Sequence, residues 1–311
     1  MGVTQLDDVV YVVCDKCSAV RKYSATTHER LMPDIDVPGL RDPKDITACE
    51  QTSCVYVASS ECVWRMSSEG RDLARWLTTP QSGRQFSPHT LSVTASRLLV
   101  TSYAPNELML FDRDGVEMRR VGLPEGNAPY HGVESPTGAF VVVHSDTQLK
   151  QWQVSEVTTD GRVLRQFSGS LSWPDHIAVD SLGNVFVADT GQILLLDAQL
   201  VVCRVIIDEH LLNKQEPQRL CYLKHSGQLL VGLGNSVATF DLLQVSQVSQ
   251  LITHGIFQKN NLQIWFRLLD IFAISLYHFK FASSAYDAAY ICRQSDVPRY
   301  SHESCRNDLS S

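Results

Sequence analysis

The sequence predicts an all-β fold, a six-bladed β-propeller with four-stranded antiparallel blades, and three observations lead to this prediction. The first is a series of five prolines that lie 41 to 45 residues apart: Pro43, Pro88, Pro129, Pro174 and Pro217. The second is that each proline opens a segment of short alternating apolar stretches separated by turn residues. The third is a partial segment of the same kind before Pro43, which brings the number of units to six. A period near 43 residues with several short strands per unit is typical of a propeller.

The unit that begins at Pro174 shows the pattern most clearly. Residues 176–180 alternate between apolar and polar, and the turn that follows contains glycine and asparagine, which accept positive φ. Three further apolar stretches follow, each after a short turn, at residues 185–189, 193–196 and 201–207. Four strands joined by tight turns predict one antiparallel meander, which is one blade.

The segment before Pro43 predicts an incomplete first blade. Residues 9–13, 19–23 and 30–35 match the second, third and fourth strands of the other units, so the inner strand is missing. In closed propellers the first or last blade is often completed from the other end of the chain, since this removes exposed strand edges. We therefore expect the missing inner strand to come from the C-terminal part; the alternative is that the tail has replaced this strand and does not belong to the domain.

The repeat predicts two regions, a propeller over residues 1–250 and a C-terminal tail over residues 251–311. Within the tail, residues 262–281 carry apolar side chains at helical spacing, which predicts a helix. Packing of this helix on its own protein is favoured over a role as a membrane anchor. The polar stretch from residue 293 onward is expected to be disordered.

The composition limits the classes of partner and compartment. The formal net charge is −7 and the pI is about 5.8, an acidic balance that makes nucleic-acid binding an unfavoured function. The N-terminal segment lacks a basic region followed by a long apolar stretch, and we find no apolar run long enough to predict a transmembrane segment. These features predict a cytoplasmic protein, in which the nine cysteines are mostly free thiols.

The unit at residues 173–197 resembles an NHL repeat. The resemblance rests on the strand HIAVD at 176–180 and on the stretch NVFVADTG at 184–191, which match that repeat's two strands and their turns. It covers residues 8–245 as architecture, although the other units diverge and Gln192 stands where the family usually has an Asn-Arg pair. The resemblance implies a six-bladed platform for binding a protein or peptide, and related six-bladed propellers include lyases and lactonases. NHL propellers also occur in ubiquitin ligases of the tripartite-motif type, but ligase activity does not carry over, because the sequence shows no RING or B-box cysteine-histidine array.

Polar residues recur two positions after the repeat proline, at the start of the predicted inner strand. His131 and His176 occupy this position in adjacent units, and Asp45, Thr90 and Arg219 occupy it in the others. Inner strands line the central channel, so the two imidazoles and the carboxylate of Asp45 could together bind Zn²⁺ or Ca²⁺, and a bound metal could acidify a water. The alternative, which we favour, is that they are polar channel residues bonded to water or to a neighbouring backbone. Thr90 and Arg219 are expected to line the channel or contact a ligand.

Other chemistry-bearing patterns are weaker. Cys14 and Cys17 form a CxxC without the second pair that a structural zinc site needs, which predicts a simple turn. His89 lies one residue before the channel position and is out of register with the other histidines. Core packing between blades is expected for most of the tryptophans at blade positions: Trp64, Trp76, Trp152 and Trp173.

Three functional hypotheses follow. The first is a non-enzymatic scaffold that binds a protein or peptide partner and needs no cofactor. The second is a metal-dependent hydrolase or lyase with its site in the propeller channel. The third is RNA binding through one propeller face, against which the acidic pI counts. The sequence leaves enzymatic activity open, with the scaffold preferred.

Overall fold

The computed structural model describes residues 1–78, 86–95, 97–102, 106–146, 150–234, 236–242 and 280–283. These residues form strands arranged in six four-stranded sheets. The first three sheets contain β1 (Gly2–Leu6), β2 (Val9–Val13), β3 (Ala19–Ser24), β4 (Arg30–Asp36); β5 (Asp45–Cys49), β6 (Cys54–Ala58), β7 (Cys62–Ser67), β8 (Ala74–Thr78); and β9 (Pro88–Thr94), β10 (Arg97–Ser102), β11 (Glu107–Phe111), β12 (Glu117–Gly122). The last three contain β13 (Asn127–Glu134), β14 (Phe140–Asp146), β15 (Gln151–Val157), β16 (Val163–Gln166); β17 (His176–Val179), β18 (Val185–Asp189), β19 (Gln192–Leu196), β20 (Val202–Ile207); and β21 (Arg219–Leu223), β22 (Gln228–Gly232), β23 (Ser236–Asp241), β24 (Lys280–Ser283).

Each sheet is an antiparallel meander in which sequence order equals strand order. The first strand of each sheet contacts the first strands of the two neighbouring sheets, and these contacts run from β1 through β5, β9, β13 and β17 to β21 and back to β1. The six first strands therefore surround one central channel. This arrangement confirms the predicted six-bladed propeller.

The first blade is complete, so the prediction that it lacks its inner strand is wrong. The inner strand is β1, which pairs with β2 from Gly2 opposite Val13 to Leu6 opposite Val9. No proline precedes this strand, and Thr4 and Gln5 interrupt its apolar character. The two cues that marked the other inner strands are thus absent from the sequence of β1.

Blades one and six meet through side chains and not through a shared strand. Val3, Val10 and Leu230 form the centre of a buried cluster between these two blades. At the channel end, the amino group of Met1 donates a hydrogen bond of 2.8 Å to the side-chain oxygen of Gln218. Ring closure therefore depends on packing and on a few polar contacts at this one boundary.

The outer strand of the sixth blade comes from a distant part of the chain. β24 pairs with β23 from Ser236 opposite Ser283 to Thr239 opposite Lys280, whereas the outer strands of the other blades follow after a short turn. The predicted helix at 262–281 falls mainly outside the described residues, and its last two residues, Lys280 and Phe281, belong to β24. The polar stretch from residue 293 also lies outside the described residues, and the boundary at residue 250 stays a prediction. Within the described part of the chain, no helix is long and apolar enough to cross a membrane.

The hydrophobic core consists of six clusters, one at each boundary between neighbouring blades. The second strand of a blade has neighbours on both faces, so its residues are buried without alternation, as in the stretch Cys54–Ala58 of β6. This explains the continuous apolar runs of the second strands. The outer strands alternate or are exposed, because one of their edges and part of their surface face solvent.

Gly161 provides a test of how closely neighbouring blades approach. Its φ is +85°, and a Cβ at this position would lie 2.0 Å from the carbonyl oxygen of Gly122 in the neighbouring blade. Gly138 has a similar φ of +81° but has no heavy atom within 4 Å of the corresponding Cβ position. Either glycine-to-alanine substitution costs about 1–3 kcal/mol for the left-handed backbone, and we expect Gly161→Ala to cost about 1–3 kcal/mol more because a backbone must move. Urea unfolding of both variants measures the difference, and equal losses would contradict the close approach.

Candidate functional site: the channel ring and an adjoining cleft

Five polar side chains lie at one level of the channel, each at or near the start of an inner strand. They are the residues that the proline register predicted, and all five are buried: Asp45, Thr90, His131, His176 and Arg219. In blade one the equivalent position is Gly2, which pairs with Val13 as Asp45 pairs with Ala58. We call this set, with Gly2, the channel ring.

Most ring side chains bond to the backbone of the next blade. Asp45 Oδ2 accepts the backbone N–H of Leu91 at 2.8 Å. His131 Nδ1 accepts the N–H of Ile177 at 3.2 Å, and His176 Nδ1 accepts the N–H of Leu220 at 3.3 Å. The inner strand is the channel-facing edge of its sheet, so these N–H groups have no neighbouring strand to accept them.

Thr90 makes the complementary contact. Its hydroxyl donates to the carbonyl oxygen of Tyr130 in the next blade at 3.0 Å. Two positions further along β9, Ser92 donates to the carbonyl oxygen of Gly132 at 2.8 Å. The boundary between blades three and four is therefore joined by two hydroxyl groups.

Arg219 crosses the sector of the channel in which blade one has no side chain. From blade six it donates to the carbonyl oxygen of Lys44 in blade two at 3.1 Å, and its Nε lies 3.3 Å from Asp45 Oδ1. A Cβ on Gly2 would lie 3.0 Å from the backbone nitrogen of Ile46, which is too close for ordinary packing. Gly2 thus leaves this sector without a side chain of its own, and the side chain of Arg219 spans it.

The charges within the ring balance each other. Burial alone raises the pKa of Asp45, but the imidazole of His176, 3.6 Å away, and the guanidinium of Arg219 outweigh it and hold that pKa well below its usual range. Burial lowers the pKa of His131 well below its usual value, and the neighbouring His176 lowers it further. Burial also lowers the pKa of His176. At neutral pH the ring therefore contains one ion pair and two neutral imidazoles.

The geometry of the two imidazoles bears on metal binding. Their rings stack with centroids 3.5 Å apart and an interplanar angle of 23°. One ligand atom each from Asp45, His131 and His176 lie within 4.8 Å of one another, so the structure brings the predicted metal ligands together. Because each Nδ1 accepts a backbone N–H, the proton of each neutral ring lies on Nε2.

A metal on Nε2 would need the opposite tautomer. A metal-bound histidine usually donates its other ring N–H to an acceptor, whereas here the other nitrogen faces a backbone donor. The rings would have to turn, and the bonds to Ile177 and Leu220 would be lost. The observed bonds favour the backbone-bonding alternative, and metal binding by these residues stays a prediction.

An aromatic row leads from the channel to the surface at the same end. Ring centroids lie 4.9 Å apart for His89 and Tyr130, 5.2 Å for Tyr130 and Trp152, and 5.1 Å for Trp152 and Trp173. The row ends at Trp173, which is 55% exposed, whereas Trp64 is buried within the core. Core packing therefore holds for Trp64 but is wrong for Trp173.

A cleft of about 330 Å³ lies beside the exposed indole, between blades five and six. Five residues line it: Trp173, Asp175, Thr190, Glu216 and Pro217. Asp175 directly precedes the ring residue His176, so the cleft adjoins the ring. We call this feature the Trp173 cleft.

The loop that carries the indole is anchored at its backbone. The carboxylate of Asp189 accepts the N–H of Trp173 at 2.7 Å and the N–H of Ser172 at 3.0 Å. Burial raises the pKa of Asp175, an effect that the charge of Arg219 and a hydrogen bond from Trp173 only partly offset.

Sequence reasoning missed this cleft because Trp173 resembles the packed tryptophans by residue type. The only signal was its place in the turn-rich stretch SGSLSWPD, outside the predicted strands.

The comparisons with known proteins show the fold and nothing finer. No family model and no curated protein matches the chain. Among solved structures, one in a nidogen/laminin complex has a TM-score of 0.57 at 15% identity and covers 71% of this chain and 83% of its own. A putative gluconolactonase has a TM-score of 0.58 at 12% identity, and the match covers 73% of this chain and 82% of that chain. A catalytically inactive virginiamycin B lyase from Staphylococcus aureus with quinupristin has a TM-score of 0.57 at 13% identity, and the match covers 75% of this chain and 77% of that chain. The chain thus shares the propeller fold with proteins of varied function.

Proposed function

We propose that this protein is a non-enzymatic binding propeller that holds a protein or peptide partner on the end of the channel where the inner strands begin. One observation carries the proposal. The polar residues that could supply chemistry in the channel instead bond to the backbone of the neighbouring blade, as Asp45, His131 and His176 do. These side chains therefore serve the scaffold, and recognition is left to the connections around the channel mouth.

The connections at this end have the character of a recognition surface. The links between successive blades at 37–44, 167–175 and 208–218 are longer than the two-residue turns typical of hairpins, and the second and third of them contribute four of the five residues that line the Trp173 cleft. A structural neighbour is described in a complex of nidogen with laminin, so the fold is compatible with protein recognition. Fold likeness alone does not determine function, and the argument rests on the site.

A peptide library tests this function directly. The purified full chain is screened against a random peptide library, with selected peptides compared with their scrambled versions. We expect a related set of peptides to bind and to slow hydrogen exchange at residues 37–44, 167–175 and 208–218. The turns at 181–184 and 197–201, at the opposite end of the blades, serve as the internal control. Binding no better than that of scrambled peptides, or protection only at the control turns, would overturn the proposal.

A metal-dependent hydrolase or lyase is the second candidate, and one observation favours it. Asp45, His131 and His176 gather three possible ligand atoms within 4.8 Å, and the Nε2 atoms of both histidines are buried without a hydrogen-bond partner among the described residues. This candidate requires the imidazoles to turn, as argued above. It therefore competes with the scaffold role for the same atoms.

Elemental analysis separates the two candidates. After dialysis against zinc or calcium and then against metal-free buffer, we expect far less than one ion per chain, because the Nδ1 bonds hold both rings in the wrong tautomer. About one ion per chain that is lost in a His131→Gln/His176→Gln double variant would establish the metal site instead. Glutamine is chosen because its amide oxygen can still accept the backbone N–H. The exposed histidines give the matched control, a His210→Gln/His225→Gln double variant.

A further inference from the structure

The indole of Trp173 is an exposed aromatic surface held in a fixed position. Its backbone N–H is bound by Asp189, and Trp152 packs against the ring at 5.1 Å with a tilt of 58°. Even so, Trp173 is 55% exposed and lines the Trp173 cleft. A large apolar ring that is both exposed and immobilised can bind a ligand without a further loss of side-chain entropy.

Negative charge gathers in the cleft next to this ring. Asp175 and Glu216 both line the cleft, and they lie close enough that the charge of Glu216 adds to burial in raising the pKa of Asp175. No ion pair to either carboxylate is found within the described residues. Two cations act on Asp175, and both have partners elsewhere: Arg219 is engaged with Asp45 in the channel ring, and the amino group of Met1 donates to Gln218. The cleft is therefore negative on one side and aromatic on the other.

A cationic side chain fits this combination. An ammonium or guanidinium group is attracted to the face of an indole ring, and the attraction is strongest where the contact is shielded from water. Carboxylates beside the ring add charge-assisted hydrogen bonds, which a planar guanidinium makes with two N–H groups at once. A volume of about 330 Å³ accommodates one long side chain. Thr190 adds a hydroxyl group at the rim.

We propose that the Trp173 cleft binds an arginine or lysine side chain of the partner. This inference rests on the proposed function, since it names the chemistry by which a peptide is recognised at the channel mouth. The acidic pI of the chain, about 5.8, agrees with a partner of opposite charge. Arginine is expected to bind more tightly than lysine, because it can stack on the indole while bonding to a carboxylate.

The first test uses small probes on the purified full chain. N-acetyl-argininamide and N-acetyl-citrullinamide have nearly the same shape and differ in charge. We expect the arginine probe to shift the Trp173 indole N–H signal in NMR at millimolar concentration, and the citrulline probe to leave it unchanged. Equal shifts with both probes, or a shift with neither, would overturn the inference.

The second test uses variants and the peptides selected from the library. Glu216→Gln removes one charge from an exposed side chain, and we expect affinity for an arginine-containing peptide to fall about three- to tenfold. Trp173→Leu should reduce it by tenfold or more, and Trp173→Phe should retain part of the affinity because an aromatic face remains. Glu125→Gln neutralises an exposed acid between blades three and four and should have no effect.

The outcomes distinguish this inference from the function on which it rests. If selected peptides bind equally well with citrulline in place of arginine, the cleft is not a cation site although the protein still binds peptides. If the arginine probe binds at Trp173 but no library peptide binds, the cation site stands and peptide binding fails. If Glu216→Gln and Glu125→Gln weaken binding equally, the effect is a general one of net charge and the inference fails.

Discussion

Asp45→Ala is expected to lower the free energy of unfolding by about 3–5 kcal/mol, because it leaves a buried guanidinium without its partner. Asp45 is 1% exposed and accepts the N–H of Leu91, while its other oxygen lies 3.3 Å from Arg219 Nε. Arg219 is itself buried, so its charge cannot be transferred to water when the carboxylate is removed. Urea unfolding at pH 7 measures the loss.

Three further variants identify the source of this loss. Asp45→Asn keeps an oxygen that can accept the N–H of Leu91 and should therefore cost less than Asp45→Ala. Combining Asp45→Asn with Arg219→Met removes both charges and should recover stability relative to Asp45→Asn alone. Glu69→Ala breaks an ion pair with Arg71 on the surface, where both side chains are more than half exposed, and should change stability by about 1 kcal/mol or less. If Asp45→Ala costs no more than Glu69→Ala, the ring does not stabilise the propeller as we describe.

The folded protein is expected to lose stability as the pH falls below about 6.5, the pKa of an unperturbed histidine. Burial lowers the pKa of His89 to about 3 and that of His144 to about 4, and it also lowers the pKa values of His131 and His176. In this pH range the unfolded chain binds protons at these histidines while the folded protein does not. Stability therefore falls by about 1.4 kcal/mol per pH unit for each histidine, between its unfolded and folded pKa values.

Asp45 has the opposite dependence and acts at lower pH. Its pKa is depressed in the folded state, so its contribution is complete above about pH 4 and is lost only as the pH falls further. Loss of stability between pH 6.5 and pH 5 is thus assigned to the histidines. His89 and His144 alone account for about 2 kcal/mol each at pH 5, and His131 and His176 add to this loss. A loss of this size is comparable to a large part of the stability of a typical domain, and we expect acid unfolding near this pH.

The free energy of unfolding measured at intervals from pH 7.5 to pH 4.5 checks this prediction. His89→Gln removes one titrating group. It should therefore reduce the slope of the free energy of unfolding against pH by an amount that corresponds to the uptake of at most one proton. His225→Gln replaces a histidine whose side chain is 86% exposed and serves as the control for the substitution itself. A flat profile between pH 7 and pH 5 would show that the buried histidines titrate normally.

The sequence predicted the fold because the repeat is visible at the level of single residues. A proline stands two residues before the ring position in five of the six blades, and this register assigned equivalent positions to Asp45, Thr90, His131, His176 and Arg219. The inner strand of blade one was missed since it lacks the proline and has polar residues inside. Its only signal was spacing, because Gly2 precedes Asp45 by 43 residues, one repeat period.

The candidate site could be predicted only in part. The position of a ring residue follows from its register, but its bond depends on the distance between two blades, as for His131 and the N–H of Ile177. The exposure of Trp173 depends on the course of a loop that Asp189 holds from another strand. Contacts of this kind join residues that have no local pattern in common, and no periodicity in the sequence reports them.

The order of blades along the chain has a consequence for how the protein is made. Each of the first five blades uses one continuous stretch of chain, so its strands can pair as soon as they emerge during synthesis. The ring bonds of Asp45, His131 and His176 join each residue to a backbone N–H only 44 to 46 residues later, so each new blade can dock on the one before it. Arg219 is different, because its partner Lys44 lies 175 residues earlier. The contacts of its guanidinium with blade two can form only after the last blade has been synthesised. Until then the carboxylate of Asp45 lacks this counter-ion.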